Sequence, residues 1–131
     1  MEDQTELSIV EENEIIYNIK HRAFYLGRDI VLFIGKQQYD RIYFSFFDQL
    51  VRCSTSIGAN LVEGVAGSSK KDFINFNTIA LKSANETKYW LRLIMETVKI
   101  DKEQVERFIN EADEVSKIIA KIVINSKQNN L

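Results

Sequence analysis

No proline interrupts this sequence, and only five glycines do, across 131 residues. A chain with so few breakers has little with which to build a string of tight turns, so long helices are the expected solution. The apolar residues agree. They recur at steps of three and four, which places them on one side of a helix with 3.6 residues per turn. The period is not the strict seven-residue repeat of a coiled coil, so the helices should close into a compact bundle.

The first helix is expected over 14–35, with Ile16, Ile19, Ala23, Leu26, Ile30 and Ile34 as its core stripe and Gly35 as a left-handed stop. The second is expected over 45–66. Ser45 with Asp48 resembles a capping box, Phe46, Leu50, Ile57 and Leu61 form the stripe, and Gly67 ends it. The third, over 69–98, repeats the device with Ser69 and Asp72. Its core face carries Phe73, Phe76, Ala80, Ala84, Thr87, Leu91, Ile94 and Val98. The fourth, over 102–125, opens at Asp101 and Gln104 and buries Val105, Phe108, Ala112, Val115, Ile119 and Ile122. Short links between the last three helices require antiparallel neighbours. The reading is one all-α domain over 14–126, a flexible acidic arm over 1–13 and a frayed tail over 127–131.

Charge is uneven along the chain. Residues 1–14 hold six acids and no base, and the remainder carries 17 bases against 13 acids. Residues 20–92 are the more basic part, with eleven bases and six acids. That bias permits an anionic partner without demanding one. Lys70 and Lys71, at the start of the third helix, are the candidate anion contacts, because free amides and the helix dipole also favour phosphate there.

Most site chemistry fails for want of residues. One histidine and one cysteine cannot make a zinc cluster, and His21 lacks a Glu at the spacing of a bundle di-metal site. The glycines at 64 and 67 end a helix instead of following a strand, so they make no phosphate loop. His21 is read as a surface or interface residue and Cys53 as a small core residue. No catalytic set, metal site or cofactor motif emerges, and the expectation is a non-enzyme. No apolar run spans a bilayer and no secretory leader is recognisable, so the cytoplasm is the expected compartment, with no membrane partner.

Two features remain unabsorbed. The third helix carries Ile79, Trp90 and Leu93 roughly 100° from its core face, and the first carries Tyr17, Phe24, Tyr25 and Leu32 off its stripe. So much apolar surface points to self-association, with Ile79, Trp90 and Leu93 as interface candidates. On the second helix Arg52, Ser56 and Glu63 share a face with Gln49 and Asn60 at its edge, and Glu86 and Ser83 of the third helix are candidate partners. This polar stripe is either a solvated face or a hydrogen-bonded layer against another helix or subunit.

The run Gln49-Leu-Val-Arg-Cys-Ser-Thr-Ser-Ile-Gly-Ala-Asn-Leu-Val-Glu-Gly64, with Ser69-Lys-Lys-Asp-Phe73 and Ala84-Asn-Glu-Thr-Lys-Tyr-Trp-Leu91, resembles the 23S rRNA-intervening sequence proteins. The resemblance covers nearly all the chain beyond the acidic arm and is densest from Ser45 to Leu93. It implies an antiparallel up-down four-helix bundle that assembles as a homopentamer around a central channel. Some relatives are encoded inside large-subunit ribosomal RNA genes. A related group is the accessory protein of diversity-generating retroelements, a basic pentamer that binds nucleic acid and a reverse transcriptase. Arg52, Ser56, Asn60, Glu63, Gly64 and Glu86 match the family motif, which assigns them no role. The expected function is a non-enzymatic oligomeric module contacting RNA or a ribonucleoprotein. The alternative is a protein-binding scaffold with no nucleic-acid contact.

Overall fold

The computed structural model describes residues 2–128, which form four α-helices and one 3-10 turn and contain no strand. Helix α1 spans Glu2–Gly35, α2 Phe44–Ala66, α3 Lys70–Thr97 and α4 Lys102–Gln128, and a single 3-10 turn, Arg41–Tyr43, leads into α2. None of these helices is long and apolar enough to cross a membrane.

The core follows the periodic stripes. Ile19, Ala23, Leu26 and Ile30 of α1 meet Leu50, Ile57 and Leu61 of α2, Ala80, Ala84, Leu91 and Ile94 of α3, and all six expected residues of α4. Small residues on α3 let its neighbours approach closely. The ends of α2 and α3 pair crosswise: Tyr43 donates to the Thr97 carbonyl at 3.2 Å, while Gly64 lies against Asn77 and Phe76.

Four local expectations are corrected, the last at the end of α4. First, α1 begins at Glu2, far ahead of residue 14, so residues 2–13 of the expected arm are helical; Met1 lies outside the described residues. No breaker stands between residues 2 and 26, and extending an existing helix is far easier than nucleating one. Second, Ser45 does not cap α2. The 3-10 turn runs directly into the helix, whose N-cap is Tyr43 with no side-chain bond. Asp48 is thereby free to pair with Arg52, one turn on. Phe47 takes the buried position, stacked 4.0 Å from Tyr39, and Phe46 is only half-buried. Third, neither Gly35 nor Gly67 adopts the left-handed conformation; no described residue has a positive φ. Gly67 is extended, at φ −62° and ψ 150°.

The other two starts match their expectation. The Asp72 amide donates to Ser69 Oγ at 3.1 Å, and the Gln104 amide to Asp101 Oδ1 at 3.3 Å. Lys127 and Gln128, expected in the tail, belong to α4, and residues 129–131 lie outside the described residues.

Glycines stand where helices approach closely. A Cβ on Gly27 would lie 3.1 Å from the Ser54 carbonyl oxygen, and one on Gly64 would lie 3.0 Å from Asn77 Nδ2. Asn77 is buried, and its amide donates to the Phe73 carbonyl at 2.8 Å.

Candidate functional site

The polar stripe of α2 divides along its length. Ser83 Oγ of α3 donates to Ser56 Oγ at 2.9 Å, and Asn60 Nδ2 donates to the same hydroxyl at 2.9 Å and to the Ser56 carbonyl at 2.8 Å. These three side chains make a bonded layer between two helices, with Ser83 itself buried. Arg52, Glu63 and Glu86 stand outside it. The Arg52 side chain is 72% exposed and pairs with Asp48 at 3.0 Å. Glu63 is exposed, and Glu86 accepts from the Trp90 indole at 3.3 Å. The stripe is thus bonded across to α3 at Ser56 and exposed at Arg52 and Glu63.

Cys53 is buried behind this layer, its thiol donating to the Leu50 carbonyl at 3.5 Å. Burial pushes the thiol pKa up, so it stays protonated and behaves as a core residue.

An open groove of about 670 Å³ lies between α1 and α2. Gly27 and Gly58 form part of its lining, where the two backbones approach, and Phe24, Val31, Leu32 and Val62 make its walls apolar. Phe24 is 63% exposed. Lys20, His21, Arg28 and Glu63 also border the groove. His21 is exposed and lies edge-on to the Tyr17 ring at 4.4 Å. Of the first-helix surplus read from the sequence, Phe24 and Leu32 line this groove, joined by Val31 and Val62, whereas Tyr17 and Tyr25 are exposed outside it. Those two valines were missed because their exposure depends on how α1 crosses α2.

The interface candidates of α3 lie elsewhere. Ile79 is exposed, whereas Trp90 and Leu93 are half-buried. Trp90 packs within the chain, tilted against Phe46 at 5.8 Å and edge-on to Tyr89 at 5.1 Å. Lys70 and Lys71 are exposed at the first two positions of α3, and neither makes an ion pair among the described residues.

Two ionic clusters on α4 escaped the sequence reading. Arg22 of α1 bonds Glu111 through Nε at 3.2 Å and Glu114 through Nη2 at 2.7 Å. The hydrogen bond to Glu111 holds the guanidinium even more firmly protonated than usual. Lys88 of α3 reaches Asp113 and Ser116, each at 3.1 Å, and Lys117 reaches Asp113 at 3.0 Å. Bonds from Lys117 and then Lys88 hold the Asp113 carboxyl below its ordinary value. Neither cluster follows from periodicity, because each depends on which helices become neighbours. The described residues contain no group of three or more histidine, cysteine or acidic side chains placed to hold a metal ion.

A family model described as 23S rRNA-intervening sequence protein matches residues 17–121. Among solved structures, the chain is similar to a protein of unknown function from the S23 ribosomal protein family of Bacteroides thetaiotaomicron. The two are 36% identical with a TM-score of 0.74, over 83% of this chain and 97% of that one. No curated protein sequence matches the chain.

Proposed function

Because the chain belongs to the 23S rRNA-intervening sequence protein family, we propose that it is a non-catalytic, oligomeric helical module that contacts RNA or a ribonucleoprotein in the cytoplasm. The bundle runs up and down with antiparallel neighbours. The crosswise pairing of the ends of α2 and α3 supports that course.

The observation that carries the assembly is the apolar groove between α1 and α2. An exposed surface of this kind marks an association site. A ring of five copies needs two different patches that meet head to tail. The groove supplies one patch, and the α3 surface with Ile79 and Leu93 supplies the other. Light scattering should give a mass near five chains, and Leu32→Glu should shift it toward one. A monomer at micromolar concentration would overturn the assembly.

For RNA, the support is the family's name and the exposed pair Lys70 and Lys71. A ring repeats a weak contact, and repeated contacts gain by avidity. Binding should be sequence-tolerant and weaken steeply with salt as counterions are released. It should fall in Lys70→Glu/Lys71→Glu and rise when residues 1–12, rich in acids, are removed. The assay is a titration with structured and single-stranded RNA at low and moderate salt. Absence of binding at low salt by both full-length and truncated protein would leave the protein scaffold as the better reading.

A further inference from the structure

Helix α3 presents Asn85, Lys88, Tyr89 and Arg92 at steps of three and four, so they share one face. Across from them α4 presents Asn110 and Asp113. The six line a cleft of about 360 Å³ between the two helices. That volume suits a small planar ligand, since small-molecule sites run from roughly 300 to 1,000 Å³.

The chemistry inside is mixed in a particular way. Tyr89 is 59% exposed, and its ring is steadied by the edge contact with Trp90. Asn85 and Asn110 are exposed, and each side chain offers both a donor and an acceptor. Arg92 is exposed and makes no ion pair among the described residues. The only carboxylate, Asp113, is bridged by Lys88 and Lys117, so it adds no free negative charge. A simple anion would need the cations alone. An open aromatic ring beside two amides and a free guanidinium matches a nucleobase with its phosphate.

We propose that the α3–α4 cleft binds a nucleotide of single-stranded RNA, its base stacked on Tyr89 with Asn85 and Asn110 at the base edge and the adjoining phosphate on Arg92. The site rests on the RNA reading above and gives it an address distinct from Lys70 and Lys71. Stacking tolerates any base, so the contact is weakly selective for sequence and strongly selective for unpaired strands. Trp90, the single tryptophan, reports occupancy through its neighbour Tyr89.

The test uses the full chain with short fluorescent oligoadenylate, oligouridylate and a matched duplex RNA, followed by anisotropy and by Trp90 emission. Single strands should bind more tightly than the duplex and change the Trp90 emission. Tyr89→Ala and Arg92→Ala should each weaken single-strand binding about tenfold or more, whereas Tyr89→Phe should stay within about twofold because the stacking ring remains. Circular dichroism confirms that each variant is folded. If single strands bind and both alanine variants bind equally well, the cleft assignment falls while the RNA reading stands. If only Arg92→Ala weakens binding, or polyglutamate competes as well as RNA does, the cleft is an anion or acidic-peptide site and the nucleotide assignment falls. Absence of all RNA binding at low salt overturns both.

Discussion

Between α2 and α3 the chain closes its surfaces; between α1 and α2 it brings two backbones together and then leaves a groove beside them. The closed contact uses Ile57, Leu61, Ala80, Ala84 and Leu91, crossed by the Ser56–Ser83 bond and sealed at one end by Gly64 against Asn77. The open contact uses Gly27 and Gly58 in the same manner, yet Phe24, Leu32 and Val62 stay on its outer side. Both are glycine-assisted helix crossings. They differ in whether large apolar side chains point into the crossing or away from it. In the first case the residues stabilise the chain by burial, and in the second they stay exposed beside the crossing.

The largest expected effect comes from the closed side. Ile57 is fully buried, and Ile57→Ala should destabilise the chain by about 2–5 kcal/mol through lost burial and a residual cavity. Leu32→Ala, on the groove, should stay within roughly 0.5 kcal/mol for the single chain, where Leu32 is exposed. Chemical denaturation of the two variants measures the contrast, and equal losses would erase it.

A second effect tests the glycines. Gly64→Ala forces a Cβ to 3.0 Å from Asn77 Nδ2 and 3.3 Å from Phe76 Cβ, so about 1–3 kcal/mol should be lost to crowding. A Cβ on Gly58 would meet its nearest neighbour, the Phe24 nitrogen, at 3.5 Å, which is ordinary contact. Gly58→Ala should therefore be near neutral or slightly stabilising. Thermal melts rank the pair, and the reverse order would mean that the open crossing is the tighter one.

Smaller effects come from the charges that pin α1 and α3 to α4. Arg22→Ala should cost up to about 1 kcal/mol, because its partners are substantially exposed, and the loss should shrink in high salt. Asp113 has a folded pKa below its ordinary value of 3.8, so its pairing is in place above that value and is lost as pH falls through the lower, folded one. An acid titration of stability should thus be shallower below pH 3.8 in Asp113→Asn. The smallest effect is expected at the exposed end of the polar stripe. Arg52→Ala and Glu63→Ala should each shift stability by less than about 0.5 kcal/mol. Losses of several kcal/mol at either position would show that both are buried, which an assembled ring could do.

The comparison also explains what was legible beforehand. Burial by angular position was readable: the α4 stripe from Val105 to Ile122 and the α3 stripe from Ala80 to Val98 are buried throughout. Helical spacing fixes which side of a helix a residue occupies. It does not fix how far along a neighbour that residue lands. Ser56, Asn60, Arg52 and Glu63 share one stripe, and only Ser56 meets Ser83, with Asn60 joined to it through the Ser56 hydroxyl. The same gap hid the partners of Arg22 and Lys88. The start of α2 failed for a different reason. A capping signature at Ser45 competed with a 3-10 turn that began earlier, at Arg41, and the turn fixed the helix start. Propagation likewise carried α1 through a segment whose acidity suggested an arm.

The lack of any left-handed backbone among the described residues bears on how such a sequence can drift. A position at positive φ ties a lineage to glycine or asparagine whatever surrounds it. Here no described position carries that tie, so at the glycines substitution is filtered by space and not by torsion. Gly35 has nothing within 4 Å of where a Cβ would stand, and alanine there should be accepted and even favoured, since it restricts the unfolded chain. Among homologous sequences the connections should diversify first. Gly27 and Gly64, held by neighbouring atoms instead of by torsion, should be among the last to change.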